Sequence, residues 1–248
     1  MYTLVCFNRR LHLRLTGAIC LLGGALFALP AQSQGGCSYS NNNSVATCTG
    51  DLSGGVQING PVELIVESLT GNIGSSSSTA VGVSLINNGA SQGGGQSGDD
   101  GGFATISFDG GSFDIYSQTV GIVAGAQGGN GGSGNPAGGD GGTGGGGIEL
   151  NFLSGSVLTD GDDAVGLWAY SAGGNGGIGA NVGGFFHSGR QVGGAGGAGG
   201  DAGTVAINVT QGAFTQGGTA SGFGGVGVIL ADSQGGDGVS GGEGTAYF

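Results

Sequence analysis

Two kinds of short apolar segment alternate along this chain, separated by stretches of glycine and small polar residues. The first kind recurs as Ala80-Val81-Gly82-Val83, Thr119-Val120-Gly121-Ile122, Ala164-Val165-Gly166-Leu167 and Gly225-Val226-Gly227-Val228. The second recurs as Ile106-Ser107-Phe108 with Gly111 and Phe113, Leu150-Asn151-Phe152 with Gly155 and Val157, and Ile207-Asn208-Val209 with Gly212 and Phe214. In both, apolar side chains alternate with polar or very small ones, the period of a strand with one buried face. Upstream, Val56-Gln57-Ile58, residues 62–69 and Ile73 read as further short strands, punctuated by Gly54-Gly55, Asn59-Gly60-Pro61 and Thr70-Gly71-Asn72. Beyond the N-terminal region no segment keeps a helical period.

The spacing of the two kinds predicts how they stack. From Val81 to Ile106, Val120 to Leu150 and Val165 to Ile207 the separations are 25, 30 and 42 residues. From Ile106 to Val120, Leu150 to Val165 and Ile207 to Val226 they are 14, 15 and 19. One half of the unit grows freely while the other is nearly constant, as expected when repeated layers stay in register and loops extend on one side. The fold class expected is therefore all-β, a parallel β-helix or β-solenoid with long glycine-rich loops on one side. On this alignment Val120, Val165 and Val226 stack, and Phe113 stands over Val157 and Phe214. Gly244-Thr245-Ala246-Tyr247-Phe248 aligns with Gly203-Thr204-Val205-Ala206-Ile207, so the chain stops as another second segment begins, as a fragment or truncated reading frame would.

The glycine tracts have a period of their own. Residues 128–133 and 193–201 repeat every three positions. The plainer reading is a loop of large conformational freedom, which makes residues 193–200 dispensable to the layers. The other is a sheaf of polyproline II segments, whose three residues per turn would put glycine on the edges where chains meet.

Composition then narrows the functional classes. The chain has 248 residues, 67 of them glycine, and a net charge of −12. Lysine is absent, and three of the four arginines (Arg9, Arg10, Arg14) precede an apolar run at residues 15–29 and the small residues of Pro30-Ala31-Gln32-Ser33-Gln34. This is the pattern of a cleaved secretory signal over residues 1–33, and the run is short of the ~20 residues that span a bilayer. What remains holds Arg190 against sixteen acids, a net of −15. Such a surface excludes nucleic-acid binding and offers anionic lipid no cations, so no direct membrane insertion by this segment is expected. Residues 34–78 are expected to form an N-terminal cap and first strands, and 79–248 the glycine-rich repeats. In an oxidising compartment Cys37 and Cys48, with ten residues between them, are expected to close a disulfide that ties down the first layer. A zinc site would need further ligands.

Catalytic and cofactor chemistry finds little support. The mature region's one histidine, His187, sits in a glycine tract between Phe186 and Ser188, remote from any acid pattern. Asp99-Asp100 and Asp160, Asp162 and Asp163 offer the oxygen ligands calcium takes, but such clusters are also ordinary solvated turns. Gly235-Gly236-Asp237-Gly238 approaches a calcium nonapeptide with its aspartate misplaced. Asn208-Val209-Thr210 matches a glycosylation sequon inside an alternating strand. No catalytic, metal or cofactor residue is assigned, and no regular threonine ladder suggests ice binding.

A signal peptide, the Cys pair within Asn43-Ser44-Val45-Ala46-Thr47-Cys48-Thr49-Gly50, then Val56-Gln57-Ile58 and glycine-punctuated β-repeats resemble the N-terminal passenger region of proteobacterial autotransporters of the type V secretion class. That resemblance implies a right-handed parallel β-helix, exported through a C-terminal outer-membrane barrel absent from these residues, and displayed at the cell surface or released. It implies adhesion or a scaffold role toward a surface, glycan or matrix ligand, and supplies no catalytic motif. Two alternatives stand beside it: a secreted glycine-rich structural protein like the mycobacterial PE/PGRS group, and a fragment of a β-helical polysaccharide-acting enzyme. N-terminal sequencing of the exported product is expected to begin at or next to Gln34.

Overall fold

The computed structural model describes residues 36–40, 42–60, 63–75, 79–109, 111–134, 137–184, 194–216, 229–239 and 244–246, all within Gln34–Phe248. Residues 1–33, Arg190, His187 and the fourth phrase at 225–228 lie outside them. Among the described residues the structure is all strand. It begins with β1 (Cys37–Ser40), β2 (Val45–Gly50), β3 (Val56–Asn59) and β4 (Glu63–Leu69). Two cycles of three strands follow: β5 (Val81–Ile86), β6 (Ala104–Asp109) and β7 (Asp114–Ser117), then β8 (Val120–Gln127), β9 (Ile148–Phe152) and β10 (Ser156–Thr159). A third comprises β11 (Val165–Ala172), β12 (Val182–Gly184), β13 (Val205–Val209) and β14 (Ala213–Gln216), before β15 (Ile229–Gln234) and β16 (Gly244–Ala246).

Equivalent strands of successive cycles pair in parallel and build three sheets, ordered β1-β2-β4-β6-β9-β13, β15-β11-β8-β5-β3 and β14-β10-β7. The exception is β1, antiparallel to β2, with Cys37 opposite Cys48 and joined to it by a disulfide. The pairing places Val81 on Val120 on Val165, and Ile106 on Leu150 on Ile207, as the repeat spacing predicts. Leu64, Ile106, Leu150, Phe108, Phe152, Ile122 and Leu167 are fully buried in one shared core. Each aliphatic chain so buried contributes about 1.5–3 kcal/mol.

The sequence predicts two strands per unit, and the structure has three. The third, β7, β10 and β14, is a four-residue strand that turns Ile115 and Ser117, Val157 and Thr159, and Phe214 inward. Three register expectations are corrected. Val157 pairs with Ile115, not Phe113, because the first cycle takes two more residues from Phe108 to Asp114 than the second takes between their partners Phe152 and Ser156. Phe113 instead folds over the core, its ring centroid 5.7 Å from Phe108 and 6.3 Å from Phe152. Leu167 pairs with Ile229, one residue beyond the partner expected from aligning Val165 with Val226. That register puts Ser233 on Ser171, and both hydroxyls bond the glycine segments: Ser171 Oγ donates to Gly144 O (2.9 Å) and accepts from Gly203 N (2.7 Å), while Ser233 Oγ donates to Gly203 O (3.0 Å). Finally, Gly244–Ala246 pairs with Val182–Gly184 rather than continuing the sheet beyond Val205–Val209.

The glycine tracts are not loose loops, which corrects the plainer expectation. Each leaves the end of a second-sheet strand as an outgoing leg (from residues 87, 127, 172 and 234) and comes back as a return leg (96–102, 137–145, 194–203). Outgoing legs bond each other every third residue: Gly128, Gly131 and Gly134 donate to the carbonyls of Ala172, Asn175 and Ile178. Return legs do likewise, Gly138, Gly141 and Gly144 donating to Ala195, Ala198 and Asp201. The next residue of each turn donates to an antiparallel leg: within one tract Gly139 and Gly142 to Gly132 and Gly129, and Gly197 and Gly200 to Gly177 and Gly174; between successive tracts Gly174 and Gly177 to Gly142 and Gly139. Three residues per turn with no bonds inside a leg is the polyproline II pattern.

Steric contact explains the composition of two positions in three. A Cβ on Gly128 would strike the carbonyl of Gly142, on Gly138 that of Gly177, and on Gly174 that of Gly129. The third position faces solvent and carries the side chains, including Asn130, Asn175, Asp140, Thr143 and Asp201. Its amide is satisfied by the side chain one unit back: Gln127 N by Asn88 Oδ1 (3.0 Å), Asn130 N by Ser91 Oγ (3.1 Å), Asn175 N by Asn130 Oδ1 (2.9 Å), Asp237 N by Asn175 Oδ1 (2.8 Å), Thr143 N by Asp100 Oδ1 (2.7 Å) and Ala198 N by Asp140 Oδ1 (2.9 Å).

Leu167→Asp is expected to abolish the cooperative β transition in urea, because it buries an unpaired charge, and Leu150→Ala to lower stability by about 2–5 kcal/mol. Gly174→Ala is expected to cost about 1–3 kcal/mol by overpacking, and the hydrogen-bonded amides of 128–132 and 138–142 to be protected in hydrogen exchange. Loose loops would leave those amides unprotected and Gly174→Ala neutral.

Candidate functional site

The described surface is concave where each layer turns from the first sheet to the third. The turn follows the second strand at once and is made of glycine and short polar residues: Thr70-Gly71-Asn72, Gly111-Ser112, Ser154-Gly155-Ser156 and Gln211-Gly212. Glycine at 155 has two causes. Its φ is +128°, and a Cβ there would lie 3.1 Å from the Phe113 ring. The Phe113 ring, displaced by the two extra residues of its cycle, thus forms part of the floor.

The resulting groove encloses about 610 Å³ between Asn72 and Ala213. A smaller hollow of about 380 Å³, lined by Asp51, Ser53, Thr70 and Tyr116, shares Asn72 with it and prolongs it toward the disulfide end. The groove thus crosses the strands, and each layer adds one set of residues: Asp51 and Ser53, Thr70 and Asn72, Ser112 and Asp114, Ser154 and Ser156, and Gln211.

Some of these groups hold the turn itself. Asp114 N donates to Asn72 Oδ1 (3.1 Å), and Ser154 Oγ accepts from Gly111 N (3.0 Å) while donating to Gly111 O (3.3 Å). The Tyr116 hydroxyl donates to Asp114 Oδ2 (3.2 Å). The negative charge of Asp114, then burial and this hydrogen bond, raise the Tyr116 phenol above its usual value. The backbone amide of Ser53, followed by its hydroxyl, holds the exposed Asp51 carboxyl below the ordinary range. Ser112, Ser156 and Gln211 make no side-chain hydrogen bond among the described residues.

The residues singled out by sequence lie elsewhere. Cys37 and Cys48 staple the edge strand β1 to β2, with Cys48 buried. Asp99 and Asp100 belong to the first return leg, where the Asp99 carbonyl takes the Gly129 amide and the Asp100 carboxylate takes that of Thr143. Asp237 lies on the last outgoing leg, its amide on Asn175 Oδ1. Asp160, Asp162 and Asp163 occupy the connection between β10 and β11, where Asp160 N donates to Ser117 O (3.0 Å). Among the described residues no group of three or more His, Cys, Asp or Glu could hold a metal ion. Asn208 of the sequon sits on exposed β13, its amide donating to Asn151 Oδ1 (2.8 Å) and Glu149 Oε1 (3.2 Å). The groove itself escaped sequence reading, although its signal, a glycine beside serine or glutamine after each second segment, recurs in every cycle.

No family model matches the chain, and no curated protein or solved structure matches it either. Replacing Asp114 by Asn is expected to bring the Tyr116 phenol back toward a value of 10, read as a shift of its tyrosinate absorbance to lower pH in a spectrophotometric titration of the folded chain.

Proposed function

We propose that this chain is a non-catalytic, exported β-solenoid, comparable to an autotransporter passenger, which makes adhesive or scaffold contacts at a cell surface. The observation that carries the reading is the in-register parallel pairing of cycle upon cycle, Ala104 to Phe108 on Ile148 to Phe152 and those on Val205 to Val209. Stacked layers of this kind lengthen a surface without deepening it, which suits repeated contact along a polymer or a cell wall. Three further features agree. The disulfide suits an oxidising compartment. The lysine-free, acidic composition suits solubility outside the cytosol. The third positions of the glycine legs present amide, hydroxyl and carboxylate groups in rows, a polar face held by backbone rather than by flexible loops.

Beads coated with the full chain, passed over surfaces bearing cell-wall polysaccharide, mucin or matrix protein, are expected to be retained on at least one of them more than uncoated beads, without turnover of the surface material. Retention on none of them, or release of sugar fragments, would remove the reading.

A further inference from the structure

We infer that the groove between the first and third sheets is a binding site for an extended, uncharged polysaccharide strand lying along the stacking direction. The inference rests on the surface-contact function proposed above and names its ligand.

Direction comes first. The groove runs across the strands, so a ligand in it meets one set of residues per layer, at the strand spacing of about 4.8 Å. Asn72, Ser112, Ser156 and Gln211 stand in four successive layers, and the adjoining hollow extends the track by the layer of Asp51 and Ser53. A pyranose in an extended glycan advances by about one layer, so consecutive sugars meet equivalent groups. A polypeptide is a poorer occupant, because it binds tightly by adding to a sheet edge, and strand edges do not run along this groove.

Chemistry narrows the ligand further. Ser112, Ser156 and Gln211 are unpaired among the described residues, and hydroxyl and primary amide groups both donate and accept. That dual capacity matches sugar hydroxyls, which also do both. Asp114, half-buried and holding the Tyr116 hydroxyl, keeps acceptor capacity for a pair of neighbouring sugar hydroxyls. The charged side chains lining the groove, Asp51 and Asp114, are both carboxylates, which disfavours a polyanion. The Tyr116 ring supplies a flat apolar face at the junction with the smaller hollow.

The test is calorimetric titration of the full chain with uncharged, linear, β-linked oligosaccharides of increasing length, beside an anionic polyuronate and an extended polypeptide. Affinity is expected to climb with each added sugar to roughly four or five residues and then level off, with no binding of the polyuronate or the peptide. Ser156→Trp fills the groove from an outward position. It is expected to weaken the longest oligosaccharide by more than about tenfold while far-UV circular dichroism and the urea midpoint stay unchanged. Gln211→Ala is expected to weaken only oligosaccharides long enough to reach its layer. Absence of binding, affinity independent of length, tight binding by the peptide or polyuronate, or unchanged binding by folded Ser156→Trp overturns the inference. Bead retention run in parallel separates the two readings. Retention that persists in a chain binding no oligosaccharide overturns the groove alone, whereas parent beads that hold to nothing overturn the surface-contact function on which it rests.

Discussion

Adjacent β-strands lie about 4.8 Å apart, and in this chain that spacing is carried beyond the sheet into segments that are no longer strands. The outgoing legs continue β5, β8, β11 and β15, so they start side by side at strand spacing and bond one another at every third residue. At such separation a three-residue helix has no room for a Cβ on the edges it shares. The overlaps predicted at Gly128, Gly138 and Gly174 are with backbone carbonyls, which cannot swing aside as a side chain can. Glycine is therefore demanded by contact along most of each tract, and conformational freedom is a secondary matter.

The same constraint organises the polar groups. A polyproline II segment makes no hydrogen bonds within itself, so every amide in a leg must find a partner elsewhere. The first position of each turn finds it on the parallel leg, the second on the antiparallel leg. At Asn130, Thr143, Asn175, Ala198 and Asp237 the third finds it on a side-chain oxygen one unit back, as Asn175 N does on Asn130 and Asp237 N on Asn175. Side chains outside the sheaf are thus structural as well as solvated. Ser171 and Ser233 fasten the sheaf to the second sheet, which couples the apolar core to the glycine region.

Core and groove are coupled in a comparable way. The aromatic cluster of Phe108, Phe113, Phe152 and Phe214 lies beneath the turn from first to third sheet. Phe113 covers Gly155, leaving the short residues around it as the walls of a shallow polar channel. The shape of the surface therefore follows from a two-residue difference in the length of one turn. The proposed surface role draws on that arrangement, since a repeated backbone carries its polar rows without needing a deep cavity.

Local alternation made the layers legible. Val81, Val120 and Val165, and Ile106, Leu150 and Ile207, stack where their spacing placed them, because a one-residue slip would turn every buried side chain outward. Cys37 and Cys48 were legible from compartment and separation. Where turns vary in length, spacing alone misled: Phe113 and Ile115 are both apolar, and only the packed core shows which of them meets Val157. The strand Ile229–Gln234 lies one residue off the register that spacing suggests, and it is in the observed register that Ser233 stands on Ser171 and both hydroxyls reach the glycine legs. By itself the sequence determined the first two strands of each unit, their inward face and the three-residue beat of the tracts, since these depend on neighbours along the chain. Tertiary structure decided that the tracts pack rather than wander and that the turns align into a groove, because both depend on carbonyls and rings brought from the opposite leg of a tract or from another cycle.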